Sequence, residues 1–550
     1  MIVNKARINK KTDEIVHPMN EADHVRIKRW LLQGPHIVVA DEAHKLKNQT
    51  SAVSQIAQDF RTTSRIALTG SPLANNLQEY HSMIRWVARD FLGDAQWFKD
   101  YYQTPIEEGI LADSTRYEQR RSLKKLKELM THIEPKVQRA SYQAVAGDLK
   151  QKTEFVLNIA LTPLQLRAYR TFIDSLRGDM GGEVASMRLF QWLSILGLLC
   201  GHPSVYWAKL QERDSKKGER LAKKAQAATR DREDASPEVG EIGLPHNTFV
   251  RAQALLQGID DLANISHSYK LRLINDILAE SHKLDDRVLI FTHSIPMLDL
   301  LQRHIKRHLP TLRTGRLDGQ TFMPERLRLA KAMNAGEYDV LLISTRAGGL
   351  GLNIPGANRV ILVDFSWNPS WEEQAVGRAY RLGQQKPVFV YHLVTAGTFE
   401  ESLHQITVFK QQLAQRVVDK KNPTRSAVKV REMLFNPREV DQEDLSENVG
   451  LDSVLDVLLK KQDLGIRSIK TTDTLHREMK EELTAEEEAE VVKALEERRK
   501  RPMPASVQVP MMVPMPVPLP DVDASAGTQD GAGRVISEKL REAIAWANGP

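Results

Sequence analysis

Apolar residues run unbroken at 37–40, IVVA, and RIALT at 65–69 reads as another short buried strand. A strand covered on both faces reads this way, whereas a half-buried strand alternates. Between the two runs Val53, Ile56, Ala57 and Phe60 recur at i, i+3, i+4 and i+7, the stripe of an amphipathic helix. After the GSP turn, Leu77, Tyr80, Ile84 and Val87 repeat that stripe. Strand, helix, strand, helix predicts a parallel α/β sheet with right-handed crossovers.

From about 91 to 265 the pattern changes to long helical stretches with charged faces, as in RRSLKKLKELM. A polar stretch at 213–243 reads as a disordered excursion. A second α/β block follows at about 270–415. Its strand candidates are VLIFT (288–292), VLLIS (340–344), VILVD (360–364) and VFVYHLV (388–394). Leu298, Leu301, Ile305 and Leu309 mark one helix between them, and PERLRLAKAMNA fits another. Beyond 415 the chain thins. An exposed helix is predicted over LTAEEEAEVVKALEERRKR, with Thr484 and Glu487 spaced as a capping box. The proline-rich 502–520 segment predicts extended chain. Ile536, Leu540, Ile544 and Ala547 mark a last helix that docks either on the body of the protein or on a partner.

Length then sets the scale, because 550 residues are too many for one core. A net charge of +6 is compatible with a nucleic-acid partner without requiring one. The single cysteine, Cys200, excludes an intrachain disulfide and favours a reducing compartment. No apolar run reaches the ~20 residues of a membrane helix, so no membrane partner is expected.

Four motifs carry candidate chemistry. In DEAH, Asp41 and Glu42 end a buried strand. They either hold Mg2+ and orient a water for nucleoside triphosphate hydrolysis, or decorate a helix N-terminus with acids. LTGSP places Thr69, Gly70 and Ser71 after the next strand, as a coupling turn or as a plain turn into a helix. STRAGGLGLN follows VLLIS and offers backbone N–H groups and small hydroxyls to phosphate oxygens, or else is a tight turn. In QAVGRAYRLGQQ, Gln374, Arg378 and Arg381 fall at i, i+4 and i+7 and share a helical face. Arginines aimed at a triphosphate stabilise its transition-state charge. The other possibility is a solvated basic face, which the small apolar flanks weaken.

Taken together, an acidic strand end in one α/β block and an arginine helix in the other resemble the superfamily 2 helicase-like ATPases. The specific resemblance is to the Swi/Snf-type DNA translocase and chromatin-remodelling family. It is carried by DEAHKLKN, LTGSPLANNLQEYHSMIRWV, LTPLQLRAYRTFI, CGHP, RLDGQT and the long run from STRAGGLGLN to VTAGTFEE. It covers roughly 30–415. The middle region and tail look most like the recombination-repair and ATRX-like branch.

The resemblance implies two RecA-like parallel-sheet lobes, the first incomplete, with helical insertions and a partly disordered C-terminal tail. The expected divisions are 1–90, the C-terminal half of the first lobe; 91–265, the insertion region; 266–415, the second lobe; and 416–550, the tail. It implies ATP and Mg2+ as cofactors. Asp41 and Glu42 match the metal and water pair, and His44 the residue coupling it to Thr69, Gly70 and Ser71. Gly351 and Gln374 match the nucleotide side, and Arg378 and Arg381 the arginine fingers. Ser344, Thr345, Arg346, Arg316 and Trp367 match the DNA-facing side. The implied partners are double-stranded DNA and chromatin, with recombination or nucleosomal proteins, in the nucleus. RRKRP at 498–502 reads either as a nuclear address or as a solvated helix end.

The family holds its phosphates in a loop ending Gly-Lys-Thr or Gly-Lys-Ser, and neither tripeptide occurs in these 550 residues. The chain is therefore expected to be an N-terminally truncated motor, inactive as written, with a first sheet that exposes apolar faces. Two other readings are a catalytically dead DNA- or protein-binding protein and a strand-separating DExH helicase.

Overall fold

The computed structural model describes residues 7–8, 15–16, 20–48, 51–70, 73, 75–140, 146–177, 186–227, 246–348, 352–365, 367–430, 432–461, 464–472, 477–479 and 481–500. The proline-rich segment and the last predicted helix lie outside the described residues.

Strands β1 (Arg7–Ile8) and β2 (Ile15–Val16) form a short antiparallel pair. The first α/β block holds β3 (Val38–Ala40) and β4 (Arg65–Ala67), paired in parallel as the sequence predicts. The helix Ala52–Gln58 connects them, and Leu77–Val87 follows. Leu77, Tyr80, Met83 and Ile84 of that helix are buried with Phe98, Tyr102, Ile106, Leu126 and Leu129 from the helices beyond it. The other face of the small sheet is bare. Ile37, Val39, Ile66 and Leu68 are 61%, 55%, 48% and 50% exposed. The expected exposure of apolar faces on this sheet is thus present. The continuous apolar runs are not covered on both sides here.

The large sheet has seven strands in the order β11-β5-β10-β9-β6-β8-β7. They are β5 (Lys152–Ile159), β6 (Val288–Thr292), β7 (Thr314–Leu317), β8 (Val340–Ser344), β9 (Arg359–Leu362), β10 (Val388–Thr395) and β11 (Ile466–Thr471). All neighbours are parallel except β11, which runs antiparallel to β5. Here the apolar runs are covered on both faces. Leu289, Phe291, Leu341, Ile343, Val360 and Val390 enter one core. Val288, Ile290, Val340, Leu342, Ile361 and Tyr391 enter the other, as strand alternation requires. The helices predicted between the first strands are Ile295–His308 and Met323–Ala335.

Three strands of the large sheet, β5, β7 and β11, were not predicted, nor was the short pair β1 and β2. β5 comes from the stretch read as helical and β11 from the tail, so the sheet gathers its edge from both. The polar excursion at 213–243 is corrected in part: the helix Pro203–Ala227 runs through its first half, and the rest lies outside the described residues. The tail is stapled to the sheet by a buried ion network. Arg359 meets Asp286 at 2.8 Å and Asp452 at 2.9 Å, and Asp452 caps the helix Ser453–Lys460 through the backbone N–H groups of Val454 and Leu455.

Candidate active site

β3 ends in a turn held to its neighbour by backbone bonds, Leu68 N–H to Ala40 O at 2.8 Å and Ala43 N–H to Leu68 O at 2.9 Å. That turn presents Asp41 and Glu42 side by side. Glu42 sits at φ 51°, a left-handed conformation uncommon for a residue with a Cβ, and its N–H donates to Asp41 Oδ1 at 2.8 Å. The following turn, Ala43–Leu46, places the ring of His44 between the two predicted motifs. His44 Nδ1 lies 3.2 Å from Glu42 Oε2 and 3.3 Å from Thr69 Oγ1. Burial lowers the His44 pKa below its ordinary value, and Lys45 and Lys47 lower it further against the opposing pull of Glu42. The predicted coupling of DEAH to the Thr69 turn is therefore a direct contact. Ser71 and Gly351 lie outside the described residues.

The arginine helix is Ser370–Ala379. Gln374 and Arg378 stand on it one turn apart. Arg381 does not: the helix closes at Tyr380, so the expectation that all three share one helical face is corrected for Arg381. Arg378 is 7% exposed and donates from Nη1 to Leu352 O at 3.4 Å. Burial lowers its pKa first and Arg381 lowers it further, whereas Glu42 raises it.

A bridge between the blocks had no signal in the sequence. Lys47, just past DEAH, meets Glu79 Oε1 at 3.1 Å. Glu79 also accepts from Asn75 Nδ2 at 2.6 Å and from Asn75 N–H at 3.1 Å. Lys410, on the helix Phe399–Val417, donates to Asn75 Oδ1 at 3.1 Å and to the Trp367 carbonyl just ahead of the arginine helix. Burial pushes its ammonium pKa down to about 8, with Glu79 opposing. Nothing in the sequence around Lys410 distinguishes it from a surface lysine. A polar cleft of about 500 Å³ opens beside this bridge, lined by Gly70, Leu73, Glu373, Gly377 and Tyr380 among others.

The predicted DNA-facing residues are scattered in character. Ser344 closes β8, Thr345 opens the turn of helix after it, and both are buried. Arg346 falls on the one-turn helix Thr345–Gly348. Arg316 on β7 is already engaged, 2.6 Å from Asp299, 3.0 Å from Gln302 and 3.0 Å from Asp318. The half-buried Trp367 ring packs edge-on against Phe190 at 4.9 Å. Among the described residues no group of three or more His, Cys, Asp or Glu side chains is arranged to hold a metal by itself. Asp41 and Glu42 are a two-carboxylate set, which suits Mg2+ because that ion keeps several waters and shares its shell with substrate phosphates. No helix among the described residues is long and apolar enough to cross a membrane.

Residues 4–205 match the SNF2-related domain family, and residues 269–383 match the helicase conserved C-terminal domain. Protein CHROMATIN REMODELING 20 of Arabidopsis thaliana is 35% identical over 446 residues, covering 76% of this chain and 30% of that protein. Helicase ARIP4 of Homo sapiens is 31% identical over 71% of this chain and 30% of its own length. Transcriptional regulator ATRX of Homo sapiens is 28% identical, covering 71% of this chain and 20% of that protein. The chain therefore spans no more than 30% of the length of these three relatives.

Proposed function

The chain belongs to the Swi/Snf-type family of helicase-like ATPases, and from that premise we propose that it serves ATP-driven movement on duplex DNA in nuclear chromatin. In this reading residues 1–90 belong to the first lobe and 266–415 to the second, whose sheet borrows β5 and β11 from the 91–265 region and the tail. Double-stranded DNA is the track, and recombination or nucleosomal proteins are the neighbours.

The observation that carries the reading is the meeting of Glu42, His44 and Thr69 beside a cleft that Gly70 lines together with Glu373 and Gly377 of the arginine helix. Asp41 and Glu42 would hold Mg2+, which supplies charge neutralisation at the phosphates of bound ATP. Glu42 orients the attacking water, and His44 holds that carboxylate in register with Thr69. Arg378 and Arg381 would stabilise the negative charge that develops on the transferred phosphoryl group. Gln374 flanks them on the nucleotide side. This chain supplies the metal, water and arginine side of the site, and its 550 residues contain no Gly-Lys-Thr or Gly-Lys-Ser to cradle the phosphates. Phosphate contacts through Arg346 and the loop beyond it make DNA affinity fall as salt rises.

The test is the melting temperature with Mg-ATP and duplex DNA present, in the unsubstituted protein and in Arg378→Ala. A rise that Arg378→Ala removes supports the reading. Duplex binding with no response to nucleotide supports the catalytically dead binding protein instead. Release of a strand from a tailed duplex supports a strand-separating helicase.

A further inference from the structure

Lys410 stands where three parts of the molecule meet. The helix Phe399–Val417 that carries it is sunk at its end into the first block, where Leu413 and Val417 join Leu77, Tyr80 and Ile84 in one buried cluster. From that helix Nζ donates to two acceptors on different blocks. One is Asn75 Oδ1, at 3.1 Å, just ahead of the helix Leu77–Val87. The other is the Trp367 carbonyl, three residues ahead of the arginine helix Ser370–Ala379. Beyond each acceptor the contacts continue. Glu79 accepts from Asn75, and Lys47, which closes the DEAH turn Ala43–Leu46, meets Glu79 at 3.1 Å. On the other side Asn368 Oδ1 accepts from the Ser370 N–H at 3.1 Å and fastens the first turn of the arginine helix. A line of polar contacts therefore runs from the DEAH turn to the arginine helix, with Lys410 at its middle.

The position is poorly suited to adding stability. Both acceptors are neutral oxygens, so neither balances the ammonium charge. Burial pushes the Lys410 pKa down to about 8, Glu79 and Glu372 oppose that fall, and Lys47 adds to it. A cation held in this way carries a desolvation cost that an unbranched apolar side chain of similar length avoids. The ammonium is well suited to something else. Its three N–H groups leave one compact point in different directions, so it fixes two acceptors relative to one another.

We propose that Lys410 is a positioning residue: it holds the start of the arginine helix against the segment that follows the Thr69 turn, and so sets where Gln374 and Arg378 stand relative to Asp41 and Glu42. That consequence rests on the proposed function. The junction itself is tested without nucleotide or DNA, so either can fail while the other stands.

The test is backbone hydrogen–deuterium exchange of the full chain, read by mass spectrometry. Lys410→Met keeps the aliphatic stem and removes the donors. Exchange across 367–380 and 75–84 is expected to quicken about tenfold, the loss of one charge-assisted hydrogen bond, while β6 and β8 exchange as before. Lys410→Arg restores charge and donors and is expected to return both segments to the unsubstituted rate. Asn75→Ala, a substitution on the first block, is expected to quicken 367–380 as well. The double variant is expected to exchange no faster than Lys410→Met alone, because both substitutions break the same line of contacts. Unchanged exchange at 367–380 in Lys410→Met would overturn the proposal. So would a rise that spreads to β6 and β8 or a variant that does not fold, since either marks Lys410 as structural. No recovery in Lys410→Arg, or additive effects of Asn75→Ala and Lys410→Met, would overturn it too.

Discussion

The two sheets of this protein are built from strands that read alike and end differently. VLIFT and VLLIS are apolar throughout and buried throughout, because neighbouring strands flank them and helices cover both faces. IVVA and the Ile66–Leu68 centre of RIALT are apolar too, yet Ile37, Val39, Ile66 and Leu68 stand about half in solvent. A continuous apolar run therefore says what a strand needs and not what it receives. Covering it takes partners whose presence a local pattern cannot report.

The comparison can be broken or sharpened by experiment. The largest effect is expected at the ion network that ties the tail to the covered sheet. Arg359→Ala leaves Asp452 buried without its cation and Asp286 with Lys386 alone, and should cost about 3–5 kcal/mol in denaturant unfolding. Next, Leu342→Ala in β8 removes a wholly buried side chain and should cost about 2–5 kcal/mol. If Val39→Ala in β3 costs as much, the bare face is covered in solution and the contrast between the sheets fails.

Acid should also act on the covered block. Burial pushes the imidazole pKa of His202 down to about 4, and its Nδ1 lies 2.8 Å from the Ser204 hydroxyl. Its folded pKa lies below the unfolded value near 6.5, so its contribution is complete above about pH 6.5 and is lost as pH falls towards 4. That contribution is on the order of 3 kcal/mol. Stability measured against pH should be flatter over that window in His202→Asn. The smallest effect is expected on the bare face, where Ile66→Lys should change stability by no more than about 0.5 kcal/mol. The same substitution should reduce binding of an apolar dye, and a dye signal that does not move would show that the patch is not accessible.

What the sequence revealed follows the same division. β6, β8 and β10 were legible because each is an apolar run at the centre of a sheet. β5 was not, because Lys152 and Glu154 interrupt its first half and its register is set by β10, hundreds of residues away. β7 is only TGRL. Its Gly315 lies where a Cβ would stand 2.9 Å from the Leu341 side chain, so packing, not strand propensity, selects it. At the candidate site, chemistry survived in short motifs. DEAH and the Thr69 turn meet through His44, and Gly70 of that turn lines one cleft with Glu373 and Gly377 of the arginine helix. Arg381 was misplaced because periodicity does not show where a helix stops. The engagement of Arg316 by Asp299 and Asp318, and the bridge through Lys410, arise only when distant elements pack.

The seating of β5 sets a timetable for synthesis. β5 pairs on one side with β10 and on the other with β11, and Asn158 bonds to Ser468 across 310 positions of chain. At roughly 5–20 residues per second, a ribosome leaves β5 waiting tens of seconds for the strands that flank it. Over that interval Phe155, Leu157 and Ile159, all buried in the finished sheet, have no permanent cover. The nascent chain should be most prone to capture by chaperones, or by another nascent chain, in the window between the emergence of β5 and that of β11.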